Sequence, residues 1–148
     1  MNITLTDHQE KIYQKTLDFI NRDFNSSDID SYIVVISGQA GTGKTTITKM
    51  ISNYSRTEKG WKVVGVAPTH KARRVLDFIL NRDTFMRVQT ITVASLLNKI
   101  RSHSYIGTNR YVRDGSHKID SFDLFIIDEV SMITDRDYSE IIKLAKDY

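Results

Sequence analysis

An eight-residue run rich in glycine constrains the fold of this chain more than any other feature. The run Gly38-Gln39-Ala40-Gly41-Thr42-Gly43-Lys44-Thr45 matches the pattern G-x-x-x-x-G-K-[ST] in full. The β-branched segment Tyr32 to Ser37 before it predicts a buried parallel strand. The segment after it predicts an amphipathic helix, with an apolar face formed by Ile47, Met50, Ile51 and Tyr54. A strand, a glycine-rich loop and a helix in this order favour a phosphate-binding loop over a turn that binds nothing.

The residue types in this run each suit the binding of phosphate. Glycines let the backbone curl so that successive N–H groups point at phosphate oxygens, and the following helix adds its positive N-terminal end. Lys44 is predicted to reach the β- and γ-phosphates, and the hydroxyl of Thr45 to ligate magnesium. We therefore predict a site for ATP and Mg²⁺ built from Gly38, Gln39, Ala40, Gly41, Thr42, Gly43, Lys44, Thr45 and Thr46.

Two adjacent carboxylates follow a second short apolar run. Leu124 to Ile127 predicts a buried strand, and Asp128 and Glu129 come directly after it. Open α/β folds bind ligands at the carboxyl edge of the sheet. There Asp128 would hold magnesium together with Thr45, and Glu129 would polarise the attacking water. With Lys44 they form the predicted catalytic set. The alternative is that these acids only cap the helix that follows.

The remainder of the chain alternates strands with amphipathic helices. Trp61 to Ala67 predicts one more strand, and the first helix is expected to start at Thr6. The apolar faces of the other predicted helices are Tyr13, Leu17, Ile20 and Phe24; Ala72, Val75, Leu76 and Ile79; Val93, Leu96, Leu97 and Ile100; and Tyr138, Ile141, Ile142 and Ala145. This order predicts an α/β domain with a parallel sheet.

Composition excludes several classes of protein. The 148 residues suit one domain, and they include no cysteine, so disulfides and thiolate metal sites are ruled out. No apolar run approaches the roughly 20 residues of a membrane-spanning helix, and no signal-peptide pattern begins the chain. We expect an intracellular, cytoplasmic protein. The formal charge of +3 fits a polyanionic partner but does not demand one.

One segment, residues 101–120, breaks the alternation of strands and helices. It is basic with scattered aromatic residues, and Gly107-Thr108-Asn109 at its centre is typical of a turn. Positive charge mixed with aromatic rings suits single-stranded nucleic acid, since cations follow phosphates and rings stack on bases. We predict an inserted hairpin or loop that binds single strands, with a solvated loop as the alternative. Its relevant residues are Arg101, His103, Tyr105, Arg110, Tyr111, Arg113, His117 and Lys118.

Two of these motifs together resemble a known family. Gly38 to Thr46 and Asp128-Glu129-Val130-Ser131-Met132 are similar to motifs I and II of superfamily-one helicases, in the RecD-like branch and within it the Dda-type phage helicases. The resemblance implies a P-loop NTPase of RecA-like fold, a three-layer sandwich around a parallel sheet. It further implies a 5′–3′ DNA helicase that hydrolyses ATP and works with replication or recombination proteins in a phage or bacterial setting.

Smaller motifs extend the resemblance along the chain. Leu5 to Gln9 resembles the Q-motif, which implies that Gln9 reads adenine, although Thr6 and Gln9 also form a capping box. Ala67 to Ala72 resembles motif Ia, and Thr92 to Leu97 resembles the next DNA-contacting motif, with Ala94 where the family has histidine. The implied DNA contacts are Pro68, Thr69, His70, Lys71 and Thr92, and Tyr111 as the tip of a pin-like hairpin. Thr69 has an alternative role as a helix N-cap.

The resemblance covers only part of what such enzymes contain. No motif III and no second RecA-like domain with arginine fingers is present, so residues 1–148 are expected to be a partial, incomplete N-terminal domain. We expect weak nucleotide binding, very slow hydrolysis and no unwinding by this chain alone. Two other functions stay open: a nucleotide or small-molecule kinase, and a nucleotide-binding module without catalysis.

Overall fold

The computed structural model describes residues 4–23, 32–84, 87–97, 99–103, 109–113 and 122–146, and for 99–103, 109–113 and 144–146 it describes the backbone alone. The chain divides into two compact units, Met1–Trp61 and Lys62–Tyr148. The first unit carries the predicted phosphate loop, and the second carries the predicted acidic pair.

The first unit is built on two helices that pack together, α1 (Asp7–Asn21) and α2 (Lys44–Thr57). The predicted start of α1 is confirmed, because Thr6 is its N-cap. The Tyr54 hydroxyl of α2 donates to the Asn21 side-chain oxygen at 3.0 Å and ties the end of one helix to the other. Ile47 and Ile51 are buried as the helical spacing predicts, whereas Phe24 lies outside the described residues.

The strand predicted over Tyr32 to Ser37 is not formed. Residues 33–39 have no regular secondary structure, and Val35 is 73% exposed where a buried strand was expected. A β-branched run supplies strand propensity, but a strand also needs a neighbour for its backbone hydrogen bonds. Within the described residues, the parallel sheet contains only strands of the second unit. This prediction is therefore wrong for the structure.

The second unit contains a parallel sheet of three strands, β1 (Val63–Ala67), β2 (Gln89–Thr92) and β5 (Leu124–Ile127). Their order in the sheet is β2–β1–β5. The sequence predicts β1 and β5 but not β2, whose alternation of polar and apolar residues gives a weak signal over four positions. The Lys62 backbone N–H donates to the Asp123 carboxylate at 2.7 Å, which fixes the register where β1 and β5 begin.

Both faces of this sheet are covered, so the unit has three layers. Val63 and Ala67 face helix α3 (His70–Asn81), which contributes Leu76 and Leu80 to a buried cluster. On the opposite face, Val64 and Val66 join a second cluster with residues from α4 (Val93–Leu96) and α5 (Asp135–Lys146), namely Val93, Leu96 and Ile141. The α/β class with a parallel sheet is confirmed.

Gly65 in the middle of β1 allows α3 to lie close to the sheet. A Cβ atom at this position would lie 2.9 Å from Leu80 Cδ1 and 3.1 Å from both Leu76 Cδ2 and Thr90 Cγ2. Distances this short demand that the packed side chains move, and packed interiors resist such movement. The middle and the last turn of α3 are therefore held close to the centre of β1.

The predicted fourth helix is shorter than expected. Helix α4 ends at Leu96, and Ile100 lies instead in strand β3 (Lys99–His103). Strand β3 pairs antiparallel with β4 (Asn109–Arg113), in the range where the sequence predicts an inserted hairpin. Val93, Leu96 and Ile100 match a helical period over so few residues that periodicity cannot separate a helix from a turn followed by a strand.

Candidate nucleotide and nucleic-acid sites

The phosphate-loop run ends at a helix start with no side-chain cap. Helix α2 begins at Lys44, and its N-cap, Gly43, has φ +85° and makes no side-chain hydrogen bond. Gly41 is also left-handed, at φ +79°. Glycine adopts this conformation without steric cost. The first N–H groups of α2, at Lys44, Thr45 and Thr46, have no partner from within a helix, and so this end can receive an anion.

The Lys44 side chain folds back over the loop. Its ammonium donates to the carbonyl oxygens of Gly38 at 2.6 Å and Gln39 at 2.7 Å. The Thr42 hydroxyl donates to the same Gln39 carbonyl at 2.9 Å. These bonds stabilise a closed curl of the backbone and hold one positive charge beside the uncapped helix start. The loop therefore combines three features that attract phosphate: free N–H groups, a helix dipole and a lysine.

Gln9 joins the start of α1 to the phosphate loop. Its Oε1 accepts a hydrogen bond from the Thr6 N–H at 3.0 Å, and the Thr6 hydroxyl accepts one from the Gln9 N–H at 3.4 Å. The capping-box alternative is thus confirmed. Gln9 Nε2 also donates to the Thr42 carbonyl at 3.0 Å. Sequence reasoning missed this second bond, because no local pattern reports a contact between residues 33 positions apart.

The acidic pair lies at the carboxyl end of β5, as predicted. The Asp128 N–H continues the ladder to the Val66 carbonyl at 2.9 Å, and Asp128 Oδ1 accepts from the Glu129 N–H at 2.9 Å. Both acids are exposed. Glu129 precedes a 3₁₀ turn (Val130–Met132) without capping it through its side chain, so the structure gives no support to the capping alternative. Its φ of +50° places it in the left-handed region, which costs a non-glycine residue energy.

The same edge of the second unit carries the residues predicted to contact DNA. Pro68, Thr69 and His70 follow β1, the neighbour of β5, so they lie at the carboxyl edge with Asp128. Thr69, His70 and Lys71 are exposed. The Thr69 hydroxyl accepts from the Ala72 N–H at 3.1 Å, which confirms its alternative role as the N-cap of α3.

Thr92 and Tyr111 differ from expectation in their positions. The side chain of Thr92 is 6% exposed, and its hydroxyl accepts from the Ser95 N–H at 3.1 Å to cap α4. Within residues 92–97, Ser95 is the exposed residue. The sequence signal that could have pointed to Ser95 is its position in the first turn of the helix. Tyr111 is the central residue of β4 and pairs with Arg101, so its predicted position at the tip of the hairpin is wrong. Residues 104–108 lie outside the described residues.

Neither an acidic or histidine metal cluster nor a membrane-spanning helix is found in the described part of the chain. No group of three or more histidine, cysteine, aspartate or glutamate side chains there is arranged to hold a metal ion. In the same ranges, no helix combines the length and the apolar character that crossing a membrane requires.

Comparison with known proteins assigns the family. The AAA domain family matches residues 25–148, and the chain belongs to this family. It is also similar to the ATP-dependent DNA helicase dda of Enterobacteria phage T4, with 32% identity over 99 residues. The aligned region covers 67% of this chain and 21% of that helicase, so the chain spans about a fifth of the length of the relative. The predicted resemblance to superfamily-one helicases is confirmed, and the two matches support a helicase-like ATPase domain.

Proposed function

We propose that this chain forms the ATP-binding portion of a DNA helicase that moves 5′ to 3′. The observation that carries the proposal is the uncapped start of α2 behind the loop from Gly38 to Thr45. Free N–H groups, the helix dipole and the Lys44 ammonium meet there, and all three favour a polyphosphate. The similarity to an ATP-dependent DNA helicase supports ATP as the nucleotide and DNA as the track.

Magnesium completes the proposed nucleotide site. The Thr45 hydroxyl and the Asp128 carboxylate are hard oxygen donors, which Mg²⁺ prefers, and phosphate oxygens and water complete its coordination in such sites. The bound ion would neutralise charge on the phosphates. Both side chains fit this role because Thr45 is exposed in the first turn of α2 and Asp128 is exposed at the end of β5. Exposed Glu129 would accept a hydrogen bond from the attacking water and orient it.

Single-stranded DNA is the proposed polymer. Pro68, Thr69, His70 and Lys71 would contact its backbone at the carboxyl edge of the second unit. The hairpin adds a second surface. In its ladder, Lys99 pairs with Arg113, Arg101 with Tyr111, and His103 with Asn109.

These pairs bring basic residues together with one aromatic residue along the sequence of the ladder, the combination that suits a single strand. We therefore propose that the paired strands of the hairpin contact the DNA, with Tyr111 stacking on a base. After β2, we propose Ser95 of α4 for the DNA contact in place of Thr92, because Ser95 is exposed and Thr92 is buried.

Catalysis by this chain alone is expected to be slow. In helicases of this kind a second domain supplies arginine fingers, which are worth a factor of roughly 10³ or more in phosphoryl transfer. Hydrolysis and unwinding therefore belong to the complete enzyme, acting inside the cell with replication or recombination proteins. Nucleotide and single-strand binding are the activities we assign to the chain itself.

Calorimetric titration with MgATP, in the presence and absence of oligo-dT, tests the proposal. We expect ATP binding that the oligonucleotide strengthens and oligonucleotide binding that ATP strengthens by the same factor, because coupling between sites is reciprocal. ADP formation that depends on a small-molecule acceptor would indicate a kinase instead. Nucleotide binding with no coupling to DNA would indicate a module without motor function, and no binding of either ligand would refute the proposal.

A further inference from the structure

Both the oxygen and the nitrogen of the Gln9 side-chain amide form hydrogen bonds in the structure. The oxygen accepts from the Thr6 N–H, and the nitrogen donates to the carbonyl of Thr42. Thr42 lies between Gly41 and Gly43, the two left-handed glycines of the loop. Glycine restricts the backbone conformation less than any other residue. The Gln9 bond therefore reaches the loop between its two least restricted residues, and it adds to the bonds of Thr42 and Lys44 within the loop.

Gly43 shows how close this contact is. A Cβ atom built at residue 43 would fall on Gln9 Nε2 and would lie 3.1 Å from Gln9 Cδ. The side-chain amide thus occupies the space that any residue other than glycine would need. Gly43 is also the N-cap of α2, so Gln9 contacts the residue from which the uncapped helix start projects.

From these contacts we infer that Gln9 is a positioning residue for the phosphate loop and that it acts on the binding of any polyphosphate, whatever its base. This inference rests on the proposed nucleotide site. By holding the Thr42 carbonyl, Gln9 fixes the orientation of the peptide group between residues 42 and 43, and so aims the Gly43 N–H. Its influence on affinity comes from preorganising the cradle, because a loop that is already ordered loses less entropy on binding.

Adenine reading, which the resemblance implies, predicts a different pattern. A residue that contacts only the base changes affinity for ATP and leaves affinity for inorganic tripolyphosphate untouched. A residue that positions the loop changes both affinities by the same factor. The effect of one substitution on the affinity for ATP, compared with its effect on the affinity for tripolyphosphate, therefore separates the two roles.

Gln9→Glu is the suitable substitution. A carboxylate keeps the oxygen that accepts from Thr6, since glutamate serves in a capping box as well as glutamine does. It loses the N–H that donates to the Thr42 carbonyl. We expect affinity for MgATP, MgGTP and magnesium tripolyphosphate, measured by calorimetry, to fall by the same factor of roughly three to ten, the value of one hydrogen bond. Because the new negative charge itself disfavours phosphate, the loop is also followed without ligand: the NMR order parameters of the Gly41 and Gly43 N–H groups should fall, and those along α1 should stay unchanged.

Thr6→Ala is the matched control. It removes the capping hydroxyl but leaves the Gln9 amide able to reach Thr42, so the melting temperature should fall while the three affinities stay within about twofold. Gly43→Ala supplies a second test, because its new methyl group displaces Gln9 Nε2 and breaks the same bond. In the double variant that carries both Gln9→Glu and Gly43→Ala, the fold-loss of affinity should be smaller than the product of the fold-losses of the two single variants.

The outcomes separate the two proposals. A loss confined to MgATP, unchanged affinity for all three ligands, or unchanged order parameters at Gly41 and Gly43 would overturn the positioning role of Gln9 while leaving the nucleotide site intact. If the unsubstituted chain bound none of the three ligands, the proposed function would fail, and this inference would fail with it. Equal losses for all three ligands, with lower order parameters in the loop, would establish it.

Discussion

Helices α2 and α3 both begin within a segment predicted to bind a polyanion, but their N-termini are capped differently. At α3, the Thr69 hydroxyl accepts from the Ala72 N–H, and the same arrangement recurs at every other described α-helix start, at Thr6, Thr92 and Thr134. At α2, the N-cap is Gly43, which has no side chain to offer. Neither first turn contains an acid.

This difference separates two ways of binding phosphate. An acid-free first turn is favourable for a nearby anion in both helices, because the dipole places positive charge there. In α2 the free N–H groups can themselves bond phosphate oxygens, which requires the close approach that glycine permits. In α3 a threonine already satisfies one of these donors, so the basic side chains of the first turn must make the contact. The first arrangement suits a nucleotide held in one pose, and the second suits a strand that slides.

Replacing one lysine at each helix start should have the largest effect. Lys44→Ala removes a charged donor from the loop, and we expect MgATP affinity to fall about tenfold to a hundredfold, since bonds to charged groups are worth roughly 1.5–3 kcal/mol. Lys71→Ala is the matched control at α3 and should leave MgATP affinity unchanged. It should instead weaken oligo-dT binding and reduce the slope of log affinity against log salt by about 0.7. Calorimetry and fluorescence anisotropy measure the two, and equal effects of both variants on ATP would break the comparison.

Removing the cap of α3 should have an intermediate effect. Thr69→Ala leaves the Ala72 N–H without its side-chain acceptor, so we expect the free energy of unfolding to fall by about 1 kcal/mol. Affinity for MgATP should not change, because α2 has no such cap to lose. Urea denaturation followed by circular dichroism measures the first quantity. A loss of nucleotide affinity in this variant would show that the two helix starts are not independent.

Two left-handed residues provide the smallest expected effect. Glu129 has φ +50° and Asp83 has φ +61°, so both hold the conformation that Gly43 adopts freely. Replacing either with glycine should raise the free energy of unfolding by about 0.5 kcal/mol, the relief of strain less the entropy that glycine adds to the unfolded chain. If the chain hydrolyses ATP as slowly as we propose, Glu129→Gly should in addition abolish that hydrolysis, and Asp83→Gly should leave it unchanged. Lower stability in Glu129→Gly would show that its backbone is not strained.

Local pattern was enough to predict much of the fold. Thr6 and the helical spacing after it located α1, and the apolar runs located β1 and β5, because each signal lies within one element. The failures depend on long-range pairing. The β-branched run from Tyr32 pairs with no strand in the described part of the chain, whereas the polar residues of β2 form a strand because β1 lies beside them.

The candidate sites divide in the same way. The glycines, Lys44 and the acidic pair can be recognised in the sequence because each belongs to a motif of consecutive residues. The bond from Gln9 to Thr42 and the burial of Thr92 depend on how separate elements pack, which no local motif reports. The pairing of Tyr111 with Arg101 was equally hidden, since the register of a hairpin is set by a turn whose length the sequence left open.

The central claim is that the uncapped start of α2 binds the phosphates of ATP. Backbone amide chemical shifts, followed by NMR while MgATP is titrated into the isotopically labelled chain, test this most directly. We predict the largest shift changes at the amides from Gly41 to Thr46, with small changes from His70 to Arg73, and we predict that inorganic tripolyphosphate reproduces them. Shift changes concentrated at the start of α3, or none in the loop at saturating nucleotide, would contradict the claim.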